Sequence, residues 1–332
     1  MNPIAIVTGG AGFIGSHMVD HLLEQGFSVR VVDNLAAGRE ENLTQHRGDP
    51  RLTFERLDIR CLEPESAIFR DAQFVFHFAG IGDIVPSIEN PIDYIDTNVH
   101  GTVRVLEAAR HARAEKLVYA ASSSCYGRAE APTGEDHPIA AEHPYALSKH
   151  LGEAAVLHWH KVYRLSANSI RIFNAYGPRV RTTGAYGAVF GVFFKQKLSG
   201  KPFTVVGDGT QTRDFLYVTD VARAFLMAAR TPIAGRIWNL GAGQPHSVNR
   251  LVELIGGPVV HIPKRPGEPD VTHADITRIS SELGWQPTIP FEEGVQRMMN
   301  DIELWRDAPL WDRDSIASAT ATWFHYLGAE HK

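Results

Sequence analysis

The chain has 332 residues, 44% hydrophobic and 21% charged, which suits one large or two modest soluble globular domains. A net charge of −5 supplies no general basic footprint, so a nucleic-acid partner is disfavoured and any phosphate site must be local. Two cysteines, Cys61 and Cys125, suit a reducing compartment, and with no room for a leader before residue 4 and no apolar stretch of ~18 residues, a cytoplasmic protein without membrane contact is expected.

Residues 4–7, Ile-Ala-Ile-Val, read as a buried strand, followed by Thr8-Gly-Gly-Ala-Gly-Phe-Ile-Gly15 and a helical pattern over residues 13–25. Gly10, Gly12 and Gly15 satisfy Gly-x-Gly-x-x-Gly. In such a turn the missing side chains let a pyrophosphate reach the amides at the helix N-terminus. A second strand, residues 28–33, closes a βαβ unit and ends at Asp33, 18 positions past Gly15. A carboxylate there accepts both adenosine ribose hydroxyls and repels a 2′-phosphate, which argues for NAD over NADP.

Further strands are expected near residues 52–57, 73–78, 116–121 and 167–173, with helices near 62–69, 92–113 and 145–164. Alternating β and α elements imply an α/β fold with a doubly wound parallel sheet, whose ligands bind beyond the carboxyl ends of the strands. Asp33, Asp58, residues 77–81 and Ser122 then share one rim. Beyond Pro178 come an irregular stretch, an apolar helix near 187–198, a strand near 203–206, a helix ending at Arg230 and a strand near 236–240. The aromatic tail from Trp311 to Tyr326 includes a helix start at Asp314, and Trp323 and Phe324 are expected to pack on the core or on a partner.

Tyr145 and Lys149 stand four residues apart, so phenol and ammonium project from one helical face. By itself that spacing fits an ordinary amphipathic helix. A fixed cation beside a phenol favours its ionised form and would let it exchange a proton with a hydroxyl near neutral pH. The histidine pairs His17/His21 and His158/His160 lack a third ligand, so no metal is expected.

Together these motifs resemble the extended short-chain dehydrogenase/reductase family, in its NAD-dependent nucleotide-sugar epimerase/dehydratase branch. The resemblance rests on the glycine turn, Leu57-Asp58-Ile59, His77-Phe-Ala-Gly80, Asn98, Ser122-Ser-Ser-Cys-Tyr-Gly127, Tyr145 to Lys149, Arg171-Ile-Phe-Asn-Ala-Tyr-Gly-Pro178, Gly207 to Asp214 and Arg265-Pro-Gly-Glu268. It implies a Rossmann-type domain over 1–178 to which 215–249 returns, and a smaller, partly interleaved α/β substrate-binding lobe from 179–214 and 250–332. It also implies that Tyr145 is the acid/base at the sugar 4-hydroxyl, Lys149 lowers its pKa and holds the nicotinamide ribose, and Ser122 bonds the same sugar oxygen. The implied NAD contacts are Gly9, Gly12, Phe13, Ile14, Gly15, Asp33, Asn34, Asp58, Ile59, Phe78, Ala79, Gly80 and Asn98, besides Tyr145 and Lys149.

On the substrate side the resemblance points to Ser87, Ser123, Ser124 and Asn174 for the sugar or diphosphate. Arg213 and Arg265 match diphosphate-binding arginines, Val189 a residue near the base, and Glu268 an acid for the nucleotide ribose. Relatives that eliminate water carry Asp-Glu after the Ser/Thr, and decarboxylating relatives carry Glu where Ser124 stands; Ser123 and Ser124 therefore favour 4-epimerisation. The expected substrate is a UDP-hexose or its N-acetyl or uronic acid form. C4 oxidation or other 4-keto chemistry on a GDP- or CDP-sugar is the second enzymatic reading, and an NAD-sensing scaffold the non-enzymatic one. Gly80 and the segment Gly184 to Gly187 depart from familiar patterns, Asp83 has no assigned role, and a homodimer through helices 92–113 and 145–164 is expected.

Overall fold

The computed structural model describes residues 2–180 and 189–328, so the segment 184–187 lies outside the described residues. Seven parallel strands form one sheet in the spatial order Ile237–Leu240, Ala167–Ile172, Lys116–Ser122, Phe74–His77, Ile4–Thr8, Ser28–Asp33 and Leu52–Arg56. The central strands are mostly apolar because both faces are covered, and the buried polar exceptions are paired, as Thr8 is with His77 at 2.7 Å. Ala5 and Val7 pack with Met18, Leu22 and Phe225 on one side. Ile6 and Val75 pack with Val105, Leu106 and Val156 on the other. The strand order reverses between Ile4–Thr8 and Phe74–His77, and the crevice at that reversal is where such sheets receive ligands.

The smaller lobe surrounds an aromatic core that includes Tyr176, Phe190, Phe194, Phe215, Phe291 and Trp305. Its short strands pair as Phe203–Val206 with Val259–Ile262 and Thr212–Arg213 with His246–Ser247. Helix Val218–Arg230 and strand Ile237–Leu240 belong to the sheet domain. Three expectations need correction. Phe215 and Tyr217 lie in the lobe core while Leu216 faces the sheet core, so the return begins at Val218 rather than 215. Helix Thr277–Leu283 packs on strand Ile237–Leu240 and places Ile279 and Trp285 in the sheet core, so 250–332 does not stay with the lobe. Residues 62–69 form no α-helix: Pro64 disfavours the helical conformation at Glu63, and only a 3₁₀ turn at Ala67–Phe69 follows.

The stretch 92–113 is a run of Pro91–Ile95, a π-helical turn Asp96–His100, and Gly101–His111. In the tail, Asp312 caps helix Arg313–Ala319 through a capping box with Ser315, two residues earlier than the expected start. Helix Ala321–Leu327 packs on Ile84–Glu89, and Trp323 is buried with its indole N–H donating to the Pro266 carbonyl at 2.7 Å, whereas Phe324 is 40% exposed. Among the described residues no helix is long and apolar enough to cross a membrane.

Candidate active site

A cavity of about 1030 Å³ runs from the glycine turn, past the carboxyl ends of the central strands, into the cleft between sheet and lobe. Gly9, Gly12 and Gly15 line it, and Gly10 does not: a Cβ on Gly10 would meet the Val31 side chain at 2.8 Å, so that glycine serves packing against the sheet. Gly9 has φ +71° and its N–H bonds the Val32 carbonyl. A Cβ on Gly15 would stand 2.1 Å from the Gly9 carbonyl oxygen, so only glycine lets helix Phe13–Glu24 begin this close to the turn.

Asp33 closes its strand with the carboxylate accepting from the Ala11 N–H at 3.0 Å and the Leu35 N–H at 2.8 Å. Burial raises its pKa, and those two bonds oppose the rise. Asn34 donates to Asp58 at 3.0 Å, and Arg60 holds the Asp58 carboxyl down at about 2. Phe13, Ile14, Ile59, Phe78, Ala79 and Gly80 also line the cavity. Asn98 does not. Its amide accepts from the Ile81 N–H and donates to the Ile81 carbonyl, both at 2.9 Å, and so fixes the backbone of the adjoining turn. A Cβ on residue 80 would approach the Asn98 side-chain oxygen to 2.8 Å.

Helix Pro144–Tyr163 carries Tyr145 and Lys149 on its cavity face. His143 caps it by accepting from the Ala146 N–H through Nδ1 at 3.2 Å. Burial lowers the His143 pKa to about 4, so the ring is neutral with its proton on Nε2, and it stacks on Tyr145 at 5.9 Å and 11°. Ser122 lines the same cavity as Tyr145 and shares a 2.8 Å hydrogen bond with Ser124. Burial raises the phenol's pKa; Ser122 lowers it and the Asp83 charge raises it further. Burial likewise pulls Lys149 down from 10.5 to about 7, opposed by Glu153. The expectation that Lys149 lowers the phenol is thus not met in the free protein: desolvation dominates both groups and pushes each toward its neutral form.

Toward the lobe, Arg213 donates to Glu268 at 2.7 Å, and Arg265 lies 3.5 Å from the other Glu268 oxygen. Glu268 therefore braces two guanidinium groups against the cavity wall. Asn174 accepts from the Thr272 hydroxyl at 2.7 Å, and Ser123, Ser124, Asn174 and Val189 all line the cavity. Ser87 is not brought to it. That side chain is fully buried and its hydroxyl donates to the Ile84 carbonyl at 2.6 Å, inside the short helix Ile84–Glu89.

Residues 5–241 match the profile of the NAD dependent epimerase/dehydratase family. This chain belongs to that family. The family member is 36% identical to the UDP-glucose 4-epimerase of Mycolicibacterium smegmatis, over 88% of its own length and 96% of the relative's. It is 33% identical to UDP-glucuronic acid decarboxylase 2 of Arabidopsis thaliana, over 96% of its own length and 71% of the relative's. Its structure superposes with a TM-score of 0.84 on the UDP-glucuronic acid 4-epimerase of Bacillus cereus bound to UDP-glucuronic acid and NAD, at 30% identity, covering 90% of this chain and 99% of that one.

The cofactor of this family member is NAD, and its residues fit it. The Gly15 position, which a Cβ would fill, leaves the first turn of helix Phe13–Glu24 open to a pyrophosphate, and Asp33 stands at the rim to take the ribose diol. Sequence reasoning missed several wall residues, among them His143, Thr272 and Trp323. His143 was legible as the residue before Pro144 at a helix start. Thr272 carries no local signal, and Trp323 reaches the cavity only because the tail folds back over residues 84–89.

Proposed function

We propose that this chain is an NAD-dependent 4-epimerase of a UDP-hexose, or of its N-acetyl or uronic acid form, working through a transient 4-keto sugar. The observation that carries the reading is that Ser122, Tyr145 and Lys149 line one cavity in which the neighbouring positions 123 and 124 present hydroxyls rather than carboxylates. When bound, NAD supplies a hydride acceptor at the sugar's C4 and a positive charge beside the phenol. The Tyr145 Oη takes the proton of the 4-hydroxyl and later returns it, while the Ser122 Oγ bonds the same oxygen and fixes its approach. Lys149, held 4.4 Å above the Tyr119 ring, is placed to anchor the nicotinamide ribose. Arg213 and Arg265, braced by Glu268, hold the diphosphate and leave the sugar as the part that turns over. Asn174 and Val189 bound the sugar and the base.

Elimination and decarboxylation need an acid or base beside Ser122, and Ser123 and Ser124 supply neither. Incubation with UDP-glucose, UDP-N-acetylglucosamine and UDP-glucuronate in the presence of NAD should convert at least one to its C4 epimer, detected by NMR. Release of carbon dioxide from UDP-glucuronate without any epimer would favour the decarboxylase relative instead. We also propose a cytoplasmic homodimer joined through the helical run from Pro91–Ile95 to Gly101–His111 and helix Pro144–Tyr163. Their exposed Ile92, Ile95, Leu147 and Leu151 support a four-helix interface, and a monomeric mass in light scattering would count against it.

A further inference from the structure

The tryptophan of the last helix, Ala321–Leu327, is buried away from every apolar core. Trp323 is 7% exposed, yet it belongs to none of the apolar clusters formed by the described residues. Its indole N–H donates to the Pro266 carbonyl at 2.7 Å, and the Arg265 guanidinium lies over the ring, 5.6 Å from its centre, within reach of a cation–π contact. Thr320, Trp323 and Leu327 all line the cavity, and their spacings of three and four residues put them on one helical face. The same helix packs on Ile84–Glu89, where the Thr322 hydroxyl donates to the Glu89 carboxylate at 2.9 Å. A Cβ on Gly328, just past its end, would come within 3.3 Å of the Pro266 ring. The helix therefore ties segment 84–89 of the sheet domain to the lobe residues 265 and 266 across the cleft.

We propose that helix Ala321–Leu327 is a strap of the substrate site and that Trp323 is a positioning residue, holding Arg265 where its guanidinium meets the substrate's diphosphate. This rests on the reading given above for one point, that Arg265 binds that diphosphate. Arginine has a long side chain whose rotamer freedom is lost when it grips an anion. A guanidinium already held in place meets the phosphates without that loss, which is how preorganisation raises affinity. Glu268 holds Arg265 at 3.5 Å but is shared with Arg213 at 2.7 Å. Trp323 adds a contact on Arg265 itself, and its bond to the Pro266 carbonyl fixes the backbone next to that arginine. The glycine turn and Asp33 lie on the sheet rim, so the strap acts on the nucleotide sugar and leaves NAD alone.

The test uses the full-length, NAD-loaded protein and reads the Kd of UDP by calorimetry, since UDP carries the diphosphate without the sugar. Trp323→Leu should weaken UDP about tenfold, with the Kd of NAD unmoved and the loss in turnover of any epimerised UDP-sugar residing in KM rather than kcat. Trp323→Phe keeps a ring for the cation and loses only the indole N–H, so it should weaken UDP about threefold. Each change is repeated in Arg265→Gln, where the guanidinium is gone and Trp323→Leu should add less than about twofold. A merely structural tryptophan would instead cost the same factor in both backgrounds, and that result overturns the proposal, as does an unchanged UDP Kd in Trp323→Leu. Should Trp323→Leu not fold, Trp323→Phe decides by the same comparison. UDP binding that Arg265→Gln weakens and the Trp323 changes do not would remove the strap alone. Failure of wild type to bind UDP, or of Arg265→Gln to weaken it, would remove the diphosphate reading and the strap with it.

Discussion

Replacing Tyr145 with Phe separates chemistry from folding more cleanly than any other change in the cavity. The ring keeps its neighbours, since the stack on His143 and the edge contact with Tyr94 at 6.3 Å involve no hydroxyl. Ser122 keeps its 2.8 Å hydrogen bond to Ser124, so no hydroxyl is stranded there, and the stability cost should not exceed that of one hydrogen bond, about 0.5–1.5 kcal/mol. Loss of the proton-transferring group should lower kcat by roughly 10²–10⁴, or about 3–5 kcal/mol of barrier, with KM for the UDP-sugar little changed. Thermal unfolding, NAD titration and steady-state epimerisation by NMR read the three quantities separately. A fall in kcat below about tenfold, in a variant that folds and binds NAD normally, would refute the assignment of Tyr145 as the acid/base.

Asp33→Asn should weaken NAD by roughly 1.5–3 kcal/mol and narrow its preference over NADP, because the amide keeps part of the contact to Ala11 and Leu35 without the repulsive charge; an unchanged NAD/NADP ratio of Kd values would remove the ribose role. Gly15→Ala places a methyl 2.1 Å from the Gly9 carbonyl and should cost about 1–3 kcal/mol of stability together with most of the NAD affinity, measured by denaturant unfolding and calorimetry. Lys149 titrates near 7 in the free protein, below its unfolded value, so between about pH 7 and 10.5 the unfolded chain binds the extra proton and stability should rise with pH. Lys149→Met should flatten that rise relative to wild type, and identical pH slopes for the two proteins would count against the buried, proton-shedding lysine.

The sheet was legible because its strands are short apolar runs that a doubly wound fold buries on both faces, and the crossover at the first strand placed the glycine turn, Asp33 and Ser122 on one rim. The four-residue spacing of Tyr145 and Lys149 fits an ordinary amphipathic helix by itself and pointed to a site only beside the glycine turn and Asp33. What escaped was set by tertiary contact. Ser87 and Asn98 sit in recognisable motif positions, but one hydroxyl turns back on its own helix and one amide clamps a neighbouring turn, choices that only packing decides. The pKa of Tyr145 was misjudged because the spacing supplies a cation while the fold supplies desolvation, and burial is the larger effect. The return of residues 277–285 to the sheet domain left no sequence signal, because an amphipathic helix does not say which core it covers.

The central claim is that a hydride leaves C4 and the same hydride returns to the opposite face within one cavity. Its most direct test is turnover of UDP-glucose, or whichever UDP-sugar is epimerised, deuterated at C4 and followed by NMR in ordinary water. The account predicts that the epimer retains the deuterium at C4 with no net reduction of NAD. Loss of the label to solvent, or accumulation of NADH with a keto sugar in stoichiometric amount, would contradict it.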